Sequence, residues 1–350
     1  MKITILSSLN DENQKGGAYL RVKAIAEIYQ KLGFETEILY HSNYKTFNNI
    51  KSIFLPFLFG KSSRVFFKSS EMININSDYL HLDNLRHLNW SFDKKIPIIF
   101  NAHNLEYETI FSRKKNLISK LFFKYEVSKL KKANFIWVCS QREKEILKNE
   151  SAELNKKVYV IPNLVDSSIY KNSKDKNIVS FIGTLDYYPN ILAVDYLLTK
   201  FFPKIKTSLY KEFEFVIAGR NPIVRHIKLA NDLGIKIIAN LTQDEIIDLY
   251  SKTKILLVPI TEGSGTRLKI IEGLFSGSSI LSTNLGAEGI KSSKIYYSSI
   301  DRFPENFQKI ISDEKLLNND IEESTKNSFD IDQWFIINKT HLQKILSHEN

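Results

Sequence analysis

Apolar and polar positions along the chain alternate between two rhythms. Short β-branched or aromatic runs recur, and segments with apolar residues at helical spacing follow them. The first run, Lys2–Ser8, predicts a strand; a polar loop from Asn10 ends in Gly16-Gly17, and a helix is expected from Ala18 to Leu32. Further strands are expected at Phe34–Leu39, Ile96–Phe100, Phe135–Cys139 and Val158–Ile161. A polar run from Asp166 to Asn177 then reads as a linker. The alternation restarts at Ile178–Gly183 and continues through Phe213–Ala218, Ile235–Ala239, Ile255–Val258 and Ser279–Thr283. Helices are expected at Ser112–Ala133, Ile191–Leu198, Thr242–Lys252 and Ile331–Leu346. Alternation through both halves predicts an α/β protein of two Rossmann-like domains, residues 1–166 and 167–330, with a final helical segment at 331–350.

One stretch organises the chemistry. The apolar run Ile255–Val258 is closed by Pro259 and followed by the loop Glu262-Gly263-Ser264-Gly265-Thr266, which feeds a helix expected to start near Thr266. Strand, glycine loop and helix in that order aim backbone N–H groups and a positive helix end at one spot, where phosphate binds well. Arg267 and Lys269 occupy a first turn that normally favours acids, which makes sense if they face an anion. Glu272, about a turn and a half further on, carries a carboxylate able to accept hydrogen bonds from a ribose diol. A diphosphate cradle beside a sugar clamp describes a site for a nucleotide-diphosphate sugar.

The segment GSGTRLKIIEGLFSGSSILSTNLGAEGI resembles the donor-site segment of the family 4 glycosyltransferases, in the subgroup that writes this loop as G-T-R-L-K-I-x-E. The resemblance implies a GT-B fold, with two Rossmann-like domains facing each other across a cleft and a C-terminal helix crossing back to the first domain. It implies a retaining, metal-independent transfer of a sugar, in which cationic side chains and helix dipoles take the place of Mg²⁺ and no cofactor is needed. Most members carry two glutamates with seven residues between them; aligned through Leu268 and Glu272, the first falls on Ser264, with Glu262 the nearest acid. Other elements match as well. Gly16 and Gly17 resemble the loop placed against the donor phosphates. Asn101-Ala102-His103-Asn104-Leu105-Glu106-Tyr107 resembles the H-N-x-E-Y element, which puts His103 close to the donor sugar. Pro162 to Asp166 resembles the P-N-x-V-D segment that ends the first domain, and Gly183 to Asn190 resembles G-x-L-D-x-x-P-N, placing Gly183 and Thr184 near the phosphates. Many relatives keep an arginine and a lysine in that element; here Arg267 and Lys269 must supply the charge, with Arg220 a further donor-side cation. Arg21 faces the cleft on the same comparison, or is a solvated surface arginine.

Composition limits the alternatives. The chain has 350 residues, 43% hydrophobic and 25% charged, as in soluble globular proteins. No span suits a bilayer and Met1-Lys2-Ile3-Thr4 begins a strand, so a cytosolic protein is expected. The single cysteine, Cys139, lies in an apolar strand and reads as a core residue. A formal charge of +10 calls for an anionic partner. FLPFLFGKSSRVFF, from 54 to 67, is either a core segment or an interfacial surface flanked by Lys61, Arg64 and Lys68. The cationic helix at 112–133 can lie on an anionic bilayer, at the inner face of the cytoplasmic membrane, or pack its apolar stripe inward. Asp330 and Asp332 form a D-x-D at a helix start and read as caps, not metal ligands. The expected partners are a nucleotide-sugar donor and a glycan or lipid-linked acceptor, as in surface polysaccharide synthesis. An epimerase of the same fold and a non-catalytic nucleotide-sugar-binding subunit are the rivals. Nucleic acid is not expected, since the lysines are spread and no recognised motif accompanies them.

Overall fold

The computed structural model describes residues 1–7, 16–40, 74–90, 92, 95–111, 117–205, 209–317 and 320–347. The aromatic and basic run at 54–67, most of the loop before Gly16, and the first residues of the cationic helix lie outside the described residues. Packing divides the chain into two units: Met1–Asn163 with Lys339–Asn350, and Leu164–Asn338.

The first unit holds six parallel strands in the order β2-β1-β3-β4-β5-β6: β1 Lys2–Ser7, β2 Glu35–Tyr40, β3 Tyr79–Leu82, β4 Ile98–Asn101, β5 Phe135–Val138 and β6 Val158–Val160. Ile3, Ile5, Phe100, Ile136 and Val138 are buried, as continuous apolar strands covered on both faces require. Edge strand β2 instead has no buried residue. Strand β3 carries no alternation because all four of its residues are buried, including His81. Desolvation pushes the His81 imidazole down to about 3, and the Tyr29 hydroxyl lies 2.8 Å from its Nδ1.

The second unit repeats the plan: β7 Ile178–Ile182, β8 Glu214–Gly219, β9 Lys236–Ala239, β10 Thr253–Val258, β11 Ser279–Ser282 and β12 Ile295–Tyr297, all parallel in the order β12-β11-β10-β7-β8-β9. In each sheet the chain winds outward on one side and then resumes on the other, between β1 and β3 in the first and between β7 and β10 in the second. Ligands of open α/β sheets bind outside the carboxyl ends of the strands at such reversals.

Several expectations need correction. The run 166–177 is not a free linker: Ser167–Ile169 forms a 3-10 turn, Tyr170 is buried, and Val165 pairs with Asp330. Asp330 fixes both segments, accepting from Ser167 N at 3.1 Å and from Gln333 N at 2.9 Å, so it caps the final helix, Ile331–Leu346, as expected. Arg21 neither opens to solvent nor lies free: it is 2% exposed and its guanidinium donates to Asn101 Oδ1, the Ile161 and Pro162 carbonyls, and Asn163 Oδ1. Those bonds tie the ends of β4 and β6 together. The helix after β7 begins at Tyr188, earlier than expected, with Pro189 in its first turn. Cys139 is a core residue whose thiol burial pushes up to about 12. The capping box of Thr242 and Glu245 is formed.

Candidate functional site

In the second unit the loops after β7 and β10 emerge side by side, because those strands are neighbours. The loop after β10 turns through Gly263 and Gly265 at φ of +101° and +81°, values that L side chains rarely adopt. The helix that follows spans Leu268–Phe275, two residues later than expected. Arg267 is its N-cap, with extended backbone, and its guanidinium folds back to donate to the Gly265 carbonyl. Its side chain therefore braces the glycine loop and does not stand in the helix's first turn. Ser264 and Gly265 are buried; Glu262, Thr266 and Arg267 are half-buried.

Lys269 reaches across to the first turn of the helix that follows β7. Its ammonium donates to Asn190 Oδ1 at 3.1 Å and lies 4.3 Å from the Phe181 ring centroid. Asn190 Nδ2 donates in turn to the Thr184 carbonyl at 2.8 Å. A Cβ on Gly183 would lie 2.7 Å from Lys269 Nζ, so the absent side chain there makes room for the ammonium. Desolvation, with the Arg267 charge adding to it, pushes Lys269 down to about 7. Arg220 follows Gly219 at the end of β8, its carbonyl accepting from Leu185 N at 2.8 Å. A Cβ on Gly219 would overlap the Gly183 carbonyl oxygen. Gly183, Thr184, Arg220, Arg267 and Lys269 thus converge at the carboxyl ends of β7, β8 and β10.

Glu272 is buried inside the helix Leu268–Phe275. Tyr170 hydroxyl donates to its Oε1 at 3.0 Å and Tyr250 hydroxyl to its Oε2 at 3.1 Å. Burial raises the carboxyl, and the two hydroxyls and Lys269 work against that rise. Each oxygen retains a further lone pair for a ligand hydroxyl. Nothing local in the sequence marks these tyrosines, which lie 102 and 22 residues from Glu272.

In the first unit Gly16 is the N-cap and Gly17 the first residue of the helix Gly17–Lys31. His103 follows β4 and is partly exposed, with Nε2 3.8 Å from Asp83 Oδ2. Its loop is held from below. Cys139 Sγ donates to the His103 carbonyl at 3.1 Å, and Glu126 accepts from Glu106 N at 2.8 Å and Tyr107 N at 3.0 Å, capping the short helix Glu106–Phe111. Among the described residues no group of three or more His, Cys, Asp or Glu is arranged to hold a metal ion.

Two family models divide the chain: Glycosyltransferase Family 4 matches residues 15–169 and Glycosyl transferases group 1 matches 176–313. A protein of Klebsiella pneumoniae described as an uncharacterized 44.6 kDa protein in the cps region is 22% identical over 234 residues, 63% of this chain and 59% of that protein. Similar solved structures include Anabaena HepE in complex with UDP and glucose (TM-score 0.65, 12% identity, 99% of this chain and 100% of that one). Sucrose-phosphate synthase from Thermosynechococcus elongatus gives TM-score 0.66 at 14% identity, covering 100% of both chains. WaaG, a glycosyltransferase involved in lipopolysaccharide biosynthesis, gives 0.60 at 11%, covering 90% of this chain and 91% of that one. At these identities the structural likeness establishes the fold, which is GT-B.

Proposed function

The chain is a GT-B protein whose two halves match glycosyltransferase domains, and from that premise we propose that it moves a sugar from a nucleotide-diphosphate donor to a glycan or lipid-linked acceptor, with retention, in surface polysaccharide synthesis. The observation that carries this reading is the convergence of Lys269 and the Gly183 loop beside the glycine turn at 263–265. Backbone N–H groups, the start of the helix Leu268–Phe275, Arg267 and Lys269 would hold a diphosphate, and Arg220 adds a cation. Glu272 would accept from the ribose hydroxyls. Glu262 or Ser264 would meet the donor sugar; in the first unit, His103 and the Gly16-Gly17 turn are donor contacts on the same reading. As the diphosphate departs, the fixed cations stabilise its growing charge, so the reading includes metal-independent transfer and no cofactor.

The reading extends to an anionic membrane surface, with the protein peripheral on the cytoplasmic face. In the helix Leu117–Leu130, Phe122, Val127 and Leu130 are buried, while Leu117, Ile118 and Leu121 are 72%, 48% and 59% exposed. Exposed Lys120 and Lys124 lie among them, and Arg113, Lys114 and Lys115 precede them in sequence. Exposed apolar side chains interspersed with lysines suit an interfacial helix. Greater co-sedimentation with anionic than with zwitterionic vesicles, reduced in Leu121→Gln, is expected; equal sedimentation with both would remove this part.

The donor site is tested by thermal shift with a panel of nucleotides and nucleotide sugars in EDTA, on wild type and Glu272→Ala. Stabilisation by one nucleoside diphosphate that survives EDTA and disappears in the variant is expected. No stabilisation by any of them would refute the donor site. Sugar release or rearrangement without an acceptor would favour the epimerase.

A further inference from the structure

Ser7 ends β1 and Asp83 follows β3, the strands between which the first sheet reverses its winding. Asp83 is almost wholly buried, an expensive place for a charge. Its surroundings keep it ionised. Ser7 Oγ donates to Oδ2 at 2.7 Å, His103 Nε2 stands 3.8 Å from the same oxygen, and His87 Nδ1 stands 3.8 Å from Oδ1. Burial alone would raise the carboxyl; the facing imidazoles, His103 foremost, and the Ser7 hydroxyl outweigh it and hold the group at about 2.

Three imidazoles surround this carboxylate, and they are not equivalent. His81 points into the core against Tyr29 and is kept neutral by desolvation. His87 is fully buried, its ring 4.4 Å from the Trp90 ring. His103 alone of the three reaches the surface, with 23% of its side chain exposed. Arg21 is bonded to Asn101 and the carbonyls after β6, and Arg86, three residues beyond Asp83, is buried as well. Of the three imidazoles, His103 is the one through which the ionised group inside reaches the surface.

We propose that Asp83 is the positioning residue for His103: its carboxylate turns Nε2 inward, fixes the ring tautomer that carries hydrogen there, and leaves Nδ1 to meet a sugar hydroxyl. The proposal deepens the glycosyl-transfer reading, since it takes His103 as a substrate contact. A carboxylate behind an imidazole fixes orientation and raises basicity. Ser7 holds that carboxylate in turn.

The test is the titration of ¹⁵N-labelled imidazoles by NMR, with the His103 signal assigned by its loss in His103→Gln. In wild type the neutral His103 ring is expected as the Nε2–H tautomer, and in Asp83→Asn, which keeps the shape but removes the charge, that preference is expected to relax toward a mixture of the two tautomers. An unchanged preference in Asp83→Asn overturns the proposal. Should the variant not fold, wild type still decides: an Nδ1–H tautomer of neutral His103 overturns the proposal. In activity assays Asp83→Asn is expected to lower kcat while donor KM stays within about twofold. A coupled His103 without any sugar transfer would instead refute the functional reading and leave the pair intact.

Discussion

Lys269 and Asn190 lie in the first turns of two helices, the one that follows β10 and the one that follows β7, and the 3.1 Å bond from the Lys269 ammonium to Asn190 Oδ1 joins them. Burial, with the Arg267 charge adding to it, pushes that ammonium down to about 7, so it titrates near neutral pH. A bound diphosphate would favour the charged form. Donor binding is therefore expected to take up most of a proton at pH 8, read by calorimetry in buffers of different ionisation enthalpy. Lys269→Arg, charged at every pH, is expected to bind without uptake, and Lys269→Met to bind at least tenfold more weakly. Equal uptake in wild type and Lys269→Arg would sink this account.

The glycines at 183 and 219 separate function from folding. A methyl on Gly183 meets the far end of Lys269 and the Asn190 amide, side-chain atoms that can move. Gly183→Ala is expected to keep its thermal midpoint within a few degrees while nucleotide affinity falls about tenfold or more. A methyl on Gly219 meets the Gly183 carbonyl, which is backbone. Gly219→Ala is expected to lose several kcal/mol or fail to fold. Denaturant melts and nucleotide titrations of both variants decide it.

Tyr250→Phe removes one of the donors to the buried Glu272 carboxylate. A stability loss of about 1.5–3 kcal/mol is expected, together with weaker nucleotide binding. Tyr170→Phe is expected to behave alike, and because both act on one carboxylate the double variant should depart from additivity. Strict additivity of the two in urea denaturation would show that the tyrosines act independently.

Glu126 caps the helix after His103 from a buried position, and burial pushes its carboxyl up to about 8. A carboxyl raised on folding stabilises most below its unfolded value near 4.5 and loses that contribution as pH rises through the folded value. Stability is therefore expected to decline between about pH 5 and 8. In Glu126→Gln that part of the slope should flatten, as measured by urea melts across the range; an unaltered slope would refute it.

The sequence by itself determined the two α/β units, the strand, glycine-loop and helix of the donor segment, the capping box at Thr242 and the start of the final helix. These are local: they rest on alternation, turn chemistry and capping, which span a few residues. Strands β3 and β12 left no such mark: in β3 the buried His81 interrupts the apolar run, and in β12 only Ile295 is buried. Only the tertiary structure decided the rest. It turned Arg267 back onto the Gly265 carbonyl, buried Arg21 between strand ends, anchored the supposed linker at Asp330, and set Tyr170, Tyr250 and Asp83 behind Glu272 and His103. Those partners lie from two to 163 residues apart in the chain. Burial makes each pairing obligatory, because a charge or donor taken out of water must find its partner wherever the fold has put one.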